Sequence, residues 1–421
     1  MDVLKLVIIF AVVIVMINLK VPLSAAILTA TVLGCILYQM GFVGGVEAIC
    51  SGVFSSATWT LLIVTYVITF LQRMMESRGT LKQAQMCLSG LFNNRRINAS
   101  VAPIFVGLLP GAAVAFIAAD MVDDACGDYL DRDEKAFVTS YFRHIPESCL
   151  PTYSTIILAA SLAGVSLSGF LLSMIIPVIL LYTLGYMFYL RKVPKETGVP
   201  PAEDKAAEWK KLFLSLWTLI LAIGLVIVMP YIPFSKVAFI PAAVANFLNN
   251  FPVWLAVIIS IVIFFFTDHF SVKEILPYFY SAIEWRLVSN IIVVMAFKGV
   301  LTASGVITKL PEVLSLLPIP MFMIFALIFL FGSIVGGTQT IVTLCTTAAF
   351  AAIPDGGVPL MMLLMSYTYA AMQISPTHVC VTMIAEYCHS SFGAMVKKTL
   401  PVIISFMVLI IPYYLLLSFL F

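Results

Sequence analysis

The alternation of apolar and polar residues divides the chain into runs at roughly 3–19, 21–42, 54–75, 99–119, 137–164 and 167–190. After a polar stretch the runs resume at roughly 211–230, 250–267, 286–308, 321–353, 359–387 and 399–420. An α-helix needs about 20 residues to cross a bilayer, so each run predicts a crossing or a re-entrant segment. None shows the two-residue alternation of an outer-membrane barrel. The stretch 43–53 reads as a loop, and 79–96 and 270–284 read as amphipathic arms lying along the membrane surface.

Two of the runs are interrupted. The first contains Arg143-His144-Ile145-Pro146-Glu147-Ser148-Cys149-Leu150-Pro151-Thr152-Tyr153, and the second Ala371-Met372-Gln373-Ile374-Ser375-Pro376-Thr377-His378-Val379. Each proline removes a backbone donor and clashes with the preceding turn, so both helices are predicted to break. Broken backbone at membrane depth is tolerated only where it faces protein or a wet cavity. Two interrupted spans at corresponding places in two halves point to a transporter's binding site.

A shift of 226 residues lays the first half on the second without gaps. Ser55 then falls on Ser281, Trp59 on Trp285, Gly79 on Gly305, Phe105 on Phe331 and Gly111 on Gly337. Ser140-Tyr141 falls on Ser366-Tyr367, and Pro151 on Thr377 beside Pro376. The expectation is an internal repeat: 1–190 and 211–421, joined by a cytoplasmic linker at 191–210.

Composition fixes the solvent. The 421 residues are 62% hydrophobic and 10% charged, with a mean hydropathy of +1.08. Such a chain could not cover a soluble surface, and the class is all-α polytopic membrane protein. The net charge of +2 points to no nucleic-acid partner. The eight cysteines contain no Cys-x-x-Cys pair, which predicts neither a disulfide framework nor a zinc site. Met1 to Ile17 lacks a cleavage pattern and reads as a retained first span.

Basic residues give the orientation. Arg78, Lys82, Arg95 and Arg96 belong inside, as do Arg191, Lys192, Lys195, Lys205, Lys210, Lys211, Lys397 and Lys398. These assignments agree only if 99–119 enters and returns on the inner side, turning at Pro110-Gly111. The run 321–353 is too long for one span and is predicted to be a second hairpin, turning at Gly336-Gly337 and entering from the opposite face. The halves then have inverted topology, with both termini outside. The acidic stretch 120–135 lacks the spacing and glycine of an EF-hand and reads as a solvated amphipathic helix.

The candidate substrate-binding residues are Pro110, Gly111, Ser148, Thr152, Gly336, Gly337, Thr338, Gln339, Thr340, Ser375, Thr377 and His378. The candidate coupling-ion residues are Glu147, Cys149 and Gln373. Free amides at half-helix N-termini favour an anion and freed carbonyls favour a cation. Glu147 is a carboxylate within a span, open to three readings: a sodium ligand, a proton carrier, or a structural partner of Arg143 one turn earlier. Gly336-Gly337 reads as a ligand-approach point or as a helix-packing surface. His378 reads as a substrate contact or as a buried histidine bonded to backbone. Arg143 and His144 are expected nearer the inner end, snorkelling or pairing with the acidic helix. Glu386-x-x-His389 has di-metal spacing but no second copy, so no metal is expected.

This arrangement resembles the ion-transporter superfamily of gluconate, citrate, dicarboxylate and aminobenzoyl-glutamate carriers and the membrane domain of TRAP transporters. Phe142-Arg143-His144-Ile145-Pro146-Glu147 and Leu150-Pro151-Thr152-Tyr153 are similar to a prokaryotic family catalogued as a domain of unknown function. The resemblance implies two inverted repeats, each with a re-entrant hairpin and a discontinuous helix, and a scaffold domain that dimerises. It also implies a transport domain that moves like an elevator. The superfamily's Ser-Asn-Thr hairpin signature is absent; Leu109-Pro110-Gly111 and Gly336-Gly337-Thr338-Gln339-Thr340 stand in its place. The expected function is ion-coupled movement of a small organic anion across a prokaryotic inner membrane. Na+ or H+ is the coupling ion, lipid the surroundings, and no cofactor is required. A Na+/H+ antiporter is the alternative, and an intramembrane enzyme a more remote one because no recognised catalytic pattern accompanies His144, Glu147, Ser148 and Cys149.

Overall fold

The computed structural model describes residues 2–80, 83–84, 87, 91, 94–108, 113–151, 153–196, 204–232 and 253–420. Among these it is helix and turn throughout. The helices of the first half are α1 (Asp2–Asn18), α2 (Leu23–Leu37), α3 (Gly41–Val53), α4 (Ser56–Ser77), α5 (Arg95–Val106), α6 (Ala113–Cys126), α7 (Arg132–Arg143), α8 (Ser154–Ala163), α9 (Leu167–Ser173) and α10 (Ile175–Phe188). Then follow α11 (Lys205–Val228), α12 (Val253–Thr267), α13 (Val272–Ser281), α14 (Trp285–Ser304), α15 (Val306–Leu314), α16 (Met321–Gly336), α17 (Thr338–Ala352), α18 (Gly357–Met372), α19 (Val379–Tyr387) and α20 (Phe392–Leu420).

Among the described residues, five helical stretches are long and apolar enough to cross a bilayer: 56–77, 167–188, 205–228, 285–304 and 392–420. The protein is therefore a multi-pass membrane protein. Helix α18 forms the centre, with every residue from Pro359 to Met372 buried. Its apolar side chains lie all round the helix, so it is stable only when other helices enclose it. Helices α16, α20 and α9 do so.

Three expectations need correction. The predicted loop 43–53 is helix α3, which packs on α14. A Cβ at Gly52 would meet the carbonyl of Met295, and one at Gly299 the carbonyl of Ala48, so glycine permits the close crossing. Its lack of Lys and Arg suited a loop equally well; the Gly-rich face is what made it a packing helix. Secondly, the acidic stretch 120–135 is not one helix. It is divided between the end of α6, a 3-10 turn at Gly127–Tyr129 and the start of α7. Asp131 caps α7: its Oδ1 accepts from the Glu134 amide at 2.8 Å, and Glu134 Oε2 accepts from the Asp131 amide at 3.2 Å. The third correction concerns Arg143 and His144 and is given with the site. Of the predicted arms, 79–96 lies largely outside the described residues, while 270–284 contains α13, none of whose residues is buried.

The two ends of the α5–α6 pair meet. Arg95 Nη1 donates to the Ala125 carbonyl at 3.1 Å. Arg95 and Arg96 also donate to the carbonyls of Glu196, Val193 and Arg191. Lys192 Nζ lies 2.7 Å from Glu134 Oε1, and Lys398 Nζ lies 2.8 Å from Asp131 Oδ2. Basic segments distant in sequence thus converge on one face, around the start of α7.

Partial burial raises the Asp131 carboxyl, but hydrogen bonds from Lys398 and from the Glu134 and Asp133 amides outweigh it and hold it below the ordinary carboxylate range. A depressed carboxylate stabilises the fold above its unfolded pKa of about 4 and loses that contribution as pH falls through the folded value. Asp131 is half-exposed, so screening limits the effect to about 1 kcal/mol or less. Thermal denaturation against pH is expected to show Asp131→Asn below wild type at neutral pH, with the difference closing as pH falls below the ordinary carboxylate range.

Candidate functional site

Helix α7 stops at Arg143, and a 3-10 turn at Pro146–Ser148 separates it from α8. Helix α18 stops at Met372, with Gln373 to His378 separating it from α19. Side chains at each break reach the carbonyl end of a neighbouring helix. Helices α16 and α17 are joined through Gly337 alone, at φ +82° and ψ 151°, a conformation essentially confined to glycine. Ser375 Oγ donates to the carbonyl of Ile334 at 2.8 Å near the end of α16 and lies 2.7 Å from Thr377 Oγ1. Thr377 sits beside Gly337. At the other break, the Tyr153 hydroxyl donates to the carbonyl of Gly107 at the end of α5. A Cβ on Gly107 would run into the Arg143 carbonyl, so this hairpin arm lies directly against the end of α7.

The two breaks also touch each other. Ser140 Oγ donates to Gln373 Oε1 at 3.1 Å, and the Tyr369 hydroxyl donates to the Tyr141 carbonyl at 2.8 Å. Arg143 is 1% exposed and His144 fully buried. Arg143 Nη1 lies 2.8 Å from His144 Nε2 and 3.3 Å from Glu147 Oε1. A guanidinium can only donate, so His144 Nε2 accepts; its Nδ1 then donates to the Ser140 carbonyl at 2.6 Å. His144 is accordingly the neutral Nδ1–H tautomer. His378 Nε2 lies 3.2 Å from the same His144 nitrogen.

A small cavity of about 40 Å³ opens beside Glu147, lined also by Ser148, Tyr153, Thr155, Thr338 and Tyr369. That space holds a water or two, or a bare ion. Tyr153 and Thr155 stand at the start of α8 and Thr338 at the start of α17, so two helix N-termini border it. A larger cavity of about 780 Å³ lies elsewhere, between α6, α7 and α19, with Asp120, Asp123, Arg132, Lys135 and Glu386 on its wall.

A sequence profile described as "Protein of unknown function (DUF401)" matches residues 3–417. The chain belongs to the DUF401 family. No curated protein matches it. Among solved structures, the Alcanivorax borkumensis YdaH transporter is similar at 12% identity with a TM-score of 0.53, covering 90% of this chain and 89% of that one. At that identity the likeness shows a shared fold.

In this DUF401 protein, Glu147, Ser148 and Thr338 of the expected set line the small cavity. Ser375, Thr377 and Gly337 meet at the second hairpin tip. Gly336 is buried with the Thr340 methyl beside it, and Gln339 is half-buried in the first turn of α17. Cys149 turns its thiol to the Pro146 carbonyl at 3.9 Å, and Gln373 is buried with Nε2 lacking a hydrogen-bond partner among the described residues; neither lines the cavity. Pro110, Gly111 and Thr152 lie outside the described residues.

Arg143 and His144 do not snorkel. Both are deeply buried, because α7 runs into the core and ends there. Their i, i+1 adjacency, with Glu147 one turn on, was the available signal. Tyr153 and Tyr369 were not anticipated; each donates to backbone exposed by a break or a helix end. The nearby nitrogens of His144 and His378 and the thiol of Cys380 lie within 4.8 Å of one another. They do not form a cation site in this arrangement, since Arg143 occupies the His144 Nε2 lone pair and brings its own positive charge.

Arg143→Leu would strand a carboxylate in the core and is expected to cost about 3 kcal/mol at neutral pH. The deficit should shrink on acidification, as Glu147 takes up a proton, and in the Arg143→Leu/Glu147→Leu double variant; thermal denaturation in detergent measures both. Gly337→Ala is expected to cost about 1–3 kcal/mol through backbone strain. Gly336→Ala, with its nearest neighbour at 3.5 Å, should behave close to wild type in the same measurement.

Proposed function

We propose that the chain is a secondary active transporter moving a small organic anion across the cytoplasmic membrane, driven by Na+ or H+. The observation that carries this is the buried Arg143–Glu147 pair at the junction of two helix breaks and a glycine-tipped hairpin. A charged pair in this position is functional by default in a membrane protein. The start of α8 and the start of α17 add positive potential to the cavity, which suits an anion.

The reading includes two inverted repeats. Helix starts Arg95 and Met321, helix ends Cys126 and Ala352, and the positive-φ glycines Gly79 and Gly305 are each separated by 226 residues. These coincidences support a repeat in which α5–α6 and α16–α17 are equivalent hairpins, while α11 is an insertion between the halves. The elevator motion, a homodimer through the scaffold and an inner-membrane location with both termini outside follow the superfamily resemblance. The YdaH likeness supports the transporter architecture.

The small cavity supports a second reading, a Na+/H+ antiporter, because it accommodates only ions or water without rearrangement. Proteoliposomes separate the two. A sodium or proton gradient is expected to drive uptake of one member of a panel of labelled carboxylates and sulfonates, with Glu147→Gln abolishing the ion dependence. Sodium-driven proton release with no organic flux would establish the antiporter instead.

A further inference from the structure

We propose that the Glu147 carboxylate is an internal stand-in for the carboxylate of the transported anion, and that a proton releases Arg143 from it. This rests on the reading of the junction as an anion site. Arg143 is 1% exposed and Glu147 15%, and it is Glu147, not Arg143, that lines the cavity. The carboxylate therefore stands between the guanidinium and the space a ligand would enter. An anion arriving there meets Glu147 first and reaches Arg143 only by taking its place.

The surroundings allow one exchange. Facing Glu147 are Arg143, with Nη1 at 3.3 Å, and His144, with Nε2 at 4.0 Å. Among the described residues, Tyr153, Tyr369, Tyr141, Cys149, Cys380 and His378 are other titratable groups close enough to act on Glu147, on Arg143 or on each other. From α17 the cavity receives the Thr338 hydroxyl. Within this group only Arg143 is permanently charged, and His144 is held neutral by its hydrogen bonds. His378 reaches the site through His144 Nε2.

Charge balance then sets the stoichiometry. With Glu147 ionised, the Arg143–Glu147 pair sums to zero. With Glu147 protonated and a monocarboxylate on Arg143, the sum is again zero. Two carboxylates together, or none, leave an uncompensated charge in a site that water barely reaches, which is strongly disfavoured. Each monocarboxylate thus binds with one proton, and no sodium ion is needed. The substrate class is a small monocarboxylate whose planar head matches the guanidinium fork.

Formate is the smallest probe of this class. Calorimetric titration of the purified full-length protein with formate, in buffers of different ionisation enthalpy, reads affinity and proton uptake together. In wild type, affinity is expected to rise tenfold per pH unit of acidification while Glu147 is ionised, with one proton taken up per formate. Glu147→Gln is expected to bind formate with no pH dependence and no proton uptake. Formate binding by wild type without proton uptake, a sodium requirement that persists in Glu147→Gln, or no formate binding at any pH would overturn the proposal. If Glu147→Gln does not fold, the wild-type proton count decides alone. Sodium-driven organic-anion flux without proton movement overturns this proposal and leaves the transporter reading intact. Proton-linked formate binding without ion-driven flux of any anion does the reverse.

Discussion

A helix that ends inside a membrane leaves amides and carbonyls that water cannot satisfy, and this chain contains two such ends facing one another. The centre of the structure answers that constraint. Ser375 reaches the last turn of α16, Tyr153 the end of α5, and Tyr369 the carbonyl of Tyr141 at the end of α7. Each contact removes an unsatisfied group whose exposure to hydrocarbon would cost several kcal/mol. Break side chains and the carbonyl ends of α5 and α16 thus hold one another in place. Arg143 joins this network as a charge that must be compensated locally, which explains why Glu147 stands one turn away.

Much of this frame was legible in the chain. The prolines at 146 and 151 and the single Pro376 marked the breaks because proline cannot donate, and Gly336-Gly337 marked a turn, where Gly337 takes a backbone essentially confined to glycine. Apolar run lengths located the spans within a few residues. Helix α3 was hidden, since a short glycine-rich segment without charges looks the same whether it is a loop or a tightly packed helix. The depth of Arg143 was hidden as well. Local spacing says that it can reach Glu147, but not that α7 would end inside the core, where Tyr369 donates to the Tyr141 carbonyl. The contacts between the halves, Ser140 to Gln373 and His144 to His378, have no signal in one sequence because they belong to tertiary packing.

Glu147 and Gln373 are separated by the same 226 residues as the aligned sequence positions, and the two sit in different surroundings. Glu147 borders space; Gln373 is sealed, holding Ser140. The first break therefore carries an ionisable side chain beside a cavity, and the second a neutral one. The asymmetry puts the carboxylate on the first break, where it borders space, and on the second a polar clasp that ties the two breaks together.

The Ser140–Gln373 clasp has a consequence for biosynthesis. Its partners are separated by 233 residues, and at 5–20 residues per second the ribosome takes roughly 12–47 s to make that interval. Throughout that time Arg143, His144 and Glu147 exist without α18. The nascent first half must keep its broken helix against water, lipid headgroups or an insertion partner until the second half arrives. Substitutions at Ser140 or Gln373 would then reduce the yield of inserted protein before they alter any property of the finished molecule.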